Sequence, residues 1–292
     1  SGILNIGESK HLKKDVARFD GAKTWHEIGK ELGIYSYATA EAYKDVWAQC
    51  LSFCKGLDGD LRTNDLEKMT SDRVNAFLES KIVDGVAYKT YQQYASALEK
   101  LETALNLYSE KFDRRHTYDF KEGFESRDRA SATLEHFDRS RAYESPEKII
   151  ENLSSRSELV ARIQLEGGAR ISEASHLSEK HLLGEGKILV ENGKGGQDRE
   201  IRITPETYSK LEQTVKEEGK FIFDKEQYRA DLKESALKTG QEYEGSHGLR
   251  WNFAQNRMLE LQNQGVGYEQ ALSQVSREMG HHRNDITIHY QK

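Results

Sequence analysis

The chain has 292 residues, of which 36% are hydrophobic and 32% charged, enough for two domains at ~100–200 residues each. No apolar run approaches the ~20 residues that cross a bilayer, and residues 1–10 lack the hydrophobic segment of a secretion signal, so no membrane span is expected and a cytoplasmic location is. A net charge of −6 makes no overall attraction to polyanions, and two cysteines four apart, Cys50 and Cys54, are too few for a disulfide scaffold or a zinc site.

Residues 1–24 read as an N-terminal tail with a basic cluster of Lys10, Lys13, Lys14 and Arg18. A helical domain is expected over 25–120. Its first helix fits residues 38–54, with Ala42, Val46, Ala48 or Gln49, and Phe53 at three- and four-residue spacing. A second fits Ser71 to Ile82, where Thr70 or Ser71 can cap the free N–H groups and Val74, Phe77 and Leu78 face inward. A third runs from Tyr88 to Tyr108, with Tyr91, Tyr94, Leu98, Leu101 and Leu105 along one stripe. Periodicity then fades, and 121–145 reads as a linker that contains Arg127, Arg129, Arg139 and Arg141 and ends at Ser145-Pro146.

The second domain is expected over 146–292. Leu159 and Ile163, then Ile171, Ala174 and Leu177, suggest two helical pieces broken at Gly167-Gly168. Strand signals follow at 182–183, 187–191 and 199–203, the last two joined by a glycine-rich hairpin, Asn192-Gly-Lys-Gly-Gly196. Helices are expected at 205–218, 225–239 and 247–263 and from Tyr268 to Met279, before a short segment that carries Tyr290. The fold class is therefore mainly α with a small antiparallel β-sheet in the second domain.

This half of the chain supplies what exchange at a phosphodiester needs. Guanidinium groups suit the non-bridging oxygens because they donate two parallel hydrogen bonds and stay charged. A hydroxyl must attack, and protons must leave it and reach the departing oxygen. Gly168-Ala-Arg-Ile-Ser-Glu173 places Arg170 at a predicted helix start, and Gly193-Lys-Gly-Gly-Gln-Asp-Arg199 places Lys194 at a hairpin tip. His247-Gly-Leu-Arg250 puts His247 and Arg250 on one helical face, and Met279-Gly-His281 is followed nine residues later by Tyr290.

In this order, these boxes resemble the signatures of the tyrosine recombinase (phage integrase) family, Xer-like or from a mobile element. The match covers the whole second domain, and Met279 stands where the family more often has Leu. The amino-terminal helices are similar in kind to the family's core-binding, DNA-binding domain. The resemblance implies a two-domain, C-shaped DNA clamp in which Tyr290 is the nucleophile, leaving a 3′-phosphotyrosyl link and a free 5′ hydroxyl. Arg170 and Arg250 would clamp the phosphate, Lys194 would protonate the leaving oxygen, His247 would move a proton, and His281 would donate to a phosphate oxygen. Glu173 matches a family acidic position that orients the pocket. No metal and no cofactor are implied, since the phosphotyrosyl bond keeps the energy of the broken linkage.

Each residue also has a plainer reading. Arg170 and Glu173 could be a surface pair worth ~0.2–0.5 kcal/mol, Lys194 a solvated loop tip, and His247 a helix cap. His281, His282 and His289 suggest a metal only weakly, because adjacent histidines point apart and no carboxylate motif accompanies them. Only joint occurrence favours the chemical reading. The implied partners are duplex DNA recombination sites, bound by a homotetramer that exchanges strands through a Holliday junction, with an accessory protein or partner recombinase as a further possibility. A nucleoid-associated location in the cytoplasm goes with them. Two rival readings are a type IB topoisomerase, which uses a similar residue set, and a non-catalytic DNA-binding relative. Many family members continue past the tyrosine into a helix that packs on the neighbouring protomer; here Lys292 is two residues beyond it.

Overall fold

A computed structural model describes residues 34, 37–57, 59, 61–62, 65–191, 193, 198–281 and 284–292. The tail expected over 1–24, the start of the helical domain at 25–33, and Lys194 lie outside these residues. The chain divides into two compact units, Ser1–Asp138 and Arg139–Lys292. Both are mostly helical, and small antiparallel sheets occur in the second. Among the described residues no helix is long and apolar enough to cross a membrane.

The first unit is built from α1 (Tyr37–Leu57), α2 (Ser71–Val83), α3 (Tyr88–Lys111) and α4 (Arg127–Thr133). The buried stripe of α1 runs through Val46, Cys50 and Cys54, while Ala48 and Gln49, the two alternatives for one inner position, are both exposed. The two cysteines form no disulfide and are fully buried, packing as small side chains in the core. Val74, Phe77 and Leu78 of α2 meet Tyr91, Leu98, Leu101 and Leu105 of α3 in the same core. Thr70 caps α2 by accepting the backbone N–H of Arg73. Of the stretch read as a linker, residues 121–134 contribute to this unit: a 3-10 turn at Lys121–Phe124 precedes α4, and Ala130 and Leu134 are buried in the core. Its two arginines are paired with carboxylates, Arg127 with Glu99 at 2.8 Å and Arg129 with Glu79.

The second unit begins with α5 (Pro146–Ile150) and α6 (Ser155–Gly167). Strands β1 (Leu177–Ser178), β2 (Leu182–Gly184), β3 (Lys187–Val190), β4 (Arg199–Arg202) and β5 (Lys220–Phe221) follow, with α7 (Pro205–Glu218) before β5. Then come α8 (Lys225–Lys238), α9 (Ser246–Asn263), α10 (Tyr268–Glu278) and α11 (Asn284–Ile288). β2, β3 and β4 form an antiparallel sheet with Val190 opposite Arg199, and β1 pairs with β5. Period-two alternation turns Ile188, Val190 and Ile201 into the core.

Helix α9 is held between two apolar clusters. Leu249 joins the larger one around α6, the sheet and α7, whereas Trp251, Ala254 and Met258 join Leu272, Val275, Met279 and Tyr290. Residues 139–145 strap this helix down. Asn252 takes both backbone groups of Tyr143, accepting its N–H at 3.0 Å and donating to its carbonyl at 2.8 Å. Arg139 and Arg141 both pair with Glu244, just ahead of the helix.

Candidate active site

The site collects around the junction of α6, α9 and the segment after α10. Helix α6 ends at Gly168, whose φ of +63° is open to glycine at little strain. A Cβ there would also lie 2.5 Å from the Phe253 ring. This ending turns the carbonyl of Gly168 toward Arg250, which donates to it through Nη1.

Arg170 does not start a helix. Residues 171–173 form a turn in which the N–H groups of Glu173 and Ala174 both return to the Arg170 carbonyl, at 2.9 and 3.1 Å. Hydrophobic spacing over Ile171, Ala174 and Leu177 suggests helix, but Leu177 is already pairing in β1 and the intervening residues have too few positions to propagate one. The turn is locked by Glu173, whose carboxylate accepts the Arg170 backbone N–H at 2.7 Å and its Nη1 at 2.6 Å. Arg199 approaches the same carboxylate from β4 with two further bonds, at 2.7 and 3.2 Å. Burial pushes the Glu173 carboxyl up, but the hydrogen bonds and charges of Arg199 and Arg170 outweigh it and bring it down to about 2.

Arg250 is fully buried. Nη2 donates to the Met279 carbonyl at 2.5 Å and lies 3.1 Å from His281 Nε2. Burial and the nearby charge of Arg170 lower its guanidinium to about 10, so it remains a cation at neutral pH. Burial, then Arg250, Arg170 and Arg199, lower His281 to about 3, which leaves that ring neutral. A guanidinium can only donate, so Nε2 of His281 accepts and its proton resides on Nδ1. That proton is given to Thr287 Oγ1, 2.9 Å away on α11.

Tyr290 lies in the closing 3-10 turn, His289–Gln291, with its ring 6% exposed. The ring packs on Trp251 and His281 at centroid distances of 5.0 and 5.5 Å. Its hydroxyl is 2.8 Å from His247 Nε2. Thus Arg170, Glu173, His247, Arg250, His281 and Tyr290, drawn from 121 positions of sequence between Arg170 and Tyr290, meet in one cluster. Lys194 lies outside the described residues. Arg199, Thr287 and Trp251 belong to the cluster although sequence reasoning passed over them. A signal existed for Arg199: strand alternation puts it on the same face as the buried Ile201 and Ile203, an unusual place for an unpaired charge. No pattern marks Thr287.

The model of the phage integrase family matches residues 133–292. The chain belongs to this family, the tyrosine recombinases, and DNA cleavage and rejoining is the activity that membership implies. A search of curated proteins finds no match. Among solved structures, the XerH site-specific recombinase bound to palindromic difH substrate aligns at TM-score 0.61 and 18% identity, over 99% of this chain and 87% of that one. The Tn1549 transposon integrase with transposon right end DNA aligns at 0.55 and 18%, over 97% and 94%. The lambda integrase dimer on a COC′ core site aligns at 0.55 and 16%, over 97% and 76%. At these identities the likeness establishes a shared fold.

Proposed function

We propose that the chain is a site-specific tyrosine recombinase that cuts duplex DNA with Tyr290 and rejoins it through a 3′-phosphotyrosyl intermediate. The observation that carries this is the 2.8 Å contact between the Tyr290 hydroxyl and His247 Nε2, beside two arginines aimed into the same cluster. A phenol oxygen attacks phosphorus as its proton leaves. His247, whose Nε2 is 2.8 Å away, takes it in this scheme.

Arg170 and Arg250 stabilise the charge that builds on the non-bridging oxygens. Both are preorganised: Arg170 by Glu173, and Arg250 by the Gly168 and Met279 carbonyls. His281 would donate to a phosphate oxygen only after its Nε2 gains the proton that now sits on Nδ1, so phosphate entry would exchange its bond with Arg250 for one to substrate. Lys194 protonates the 5′ oxygen in this scheme. A homotetramer on two sites and exchange through a Holliday junction belong to the same proposal. Support for a DNA partner comes from the XerH and Tn1549 integrase structures, both DNA complexes.

To test it, duplexes with bridging phosphorothiolates, drawn from a random-sequence pool enriched for binding, are incubated with the protein. A denaturant-resistant protein–DNA band is expected, reduced at least ~1,000-fold in Tyr290→Phe. A band of equal strength in that variant sinks the assignment of Tyr290.

A further inference from the structure

Arg199 is the first residue of β4, opposite Val190. Its side chain is 10% exposed, and its guanidinium is spent on two turns. Nη1 and Nη2 grip both oxygens of Glu173, whose other bonds hold the backbone and side chain of Arg170. Nε donates to the Glu278 carbonyl at 3.0 Å, where α10 gives way to Met279, Gly280 and His281. The guanidinium also covers Gly280 so closely that a Cβ there would lie 3.0 Å from Nη1 and 3.2 Å from Nε. Gly280 has φ of +66°, so this turn needs glycine for its backbone as well as for the close approach.

Such an arrangement is a poor way to gain stability alone. Two guanidiniums share one buried carboxylate, and desolvating the charges cancels much of their attraction. What it provides is a fixed separation between two loops that have no ladder hydrogen bonds to each other. The bidentate geometry is specific to arginine, because an ammonium is a point donor.

We propose that Arg199 is a positioning residue for strand cleavage. Through Glu173 it sets Arg170, and through the turn at Glu278 and Gly280 it sets His281, at the spacing that one phosphate requires. The assignment rests on Tyr290-dependent cleavage as proposed above.

Full-length Arg199→Ala and Arg199→Lys are compared with the parent chain and Tyr290→Phe on the phosphorothiolate duplex. Adduct formation at saturating DNA is expected to fall about 100-fold in both variants, the scale of a ~1 Å misplacement. Affinity for an intact duplex should stay within about threefold, because no phosphate contact is removed. Lysine keeps the charge, so its failure to restore the rate separates geometry from electrostatics. An unchanged rate in both folded variants overturns the proposal. So does an unchanged saturated rate with weaker binding and a salt slope lower by about one, which is the behaviour of a plain phosphate contact. If the parent chain makes no adduct, the cleavage reading fails separately, and Arg199 is judged by NMR of ¹⁵N-labelled imidazoles. His281 signals that shift in Arg199→Lys uphold its hold on that turn, and superimposable signals refute it.

Discussion

The two units bury different things. In the first, the interior is almost wholly apolar: Cys50, Cys54, Phe77, Leu98 and Leu101 pack with little polar content, and charges pair off at the surface. In the second, the ground around α9 buries a guanidinium, carboxylates and an asparagine, among them Arg250, Glu244 and Asn252, each tied to backbone or to an opposite charge. The contrast separates two uses of an interior. Apolar burial stabilises without direction, at ~25 cal/mol per Å². Buried polar contacts return little net stability but accept only one geometry. A site that must hold a phosphate at fixed distances needs the second kind.

The largest effect expected on stability lies in the apolar core. Phe77→Ala removes a ring that is 1% exposed and meets Phe53 and Tyr94 edge to face. It should cost ~3–5 kcal/mol in urea unfolding. A loss below about 1 kcal/mol would mean that the first unit's core is far more plastic than its packing indicates.

A smaller effect is expected at the strap. Asn252→Ala leaves both backbone groups of Tyr143 without their partner, a change worth ~1–3 kcal/mol. Because the strap braces the helix that carries His247 and Arg250, the adduct rate should drop along with stability. If stability falls and the rate at saturation does not, the strap is only structural, and the contrast between the units weakens.

Acid response sharpens the comparison at the smallest scale. His281 is lowered to about 3 in the folded chain against 6.5 when free. Between those values the unfolded chain binds a proton that the folded one does not, so stability is lost as pH falls from 6.5 toward 3. Glu173, lowered to about 2, acts in the same direction from about 4.5 downward. Each group contributes at most ~1.4 kcal/mol per pH unit within its window. Thermal melts should therefore show the parent chain losing more stability than His281→Phe as the pH is lowered from 7 to 5. Parallel curves would show that His281 is not held neutral.

Much of this was legible before any coordinates. The helices around Val74 and Leu98 are marked by three- and four-residue spacing, and the hairpin strands by extended signals at 187–191 and 199–203. The clustered residues Arg170, Glu173, His247, Arg250, His281 and Tyr290 were all named from short boxes. Spacing over Ile171 and Ala174 predicts helix where the structure has a turn at 171–173, because spacing alone cannot distinguish a helix from a hydrogen-bonded turn of the same local pitch. Spacing also puts Ala48 or Gln49 on the inner face of α1, where both are exposed, since small and polar residues fit several faces equally well.

What sequence determines by itself here is local: which segments are helical or extended, and which residue types suit phosphate chemistry. What tertiary structure alone decided is how those residues are held. That Arg199 grips Glu173, that Thr287 fixes the proton of His281, and that Asn252 binds the strap all depend on residues 6 to 109 positions apart meeting at hydrogen-bond distance. Hydrogen bonds are short and directional, so their partners follow from the packing of whole elements and leave no periodic trace along the chain.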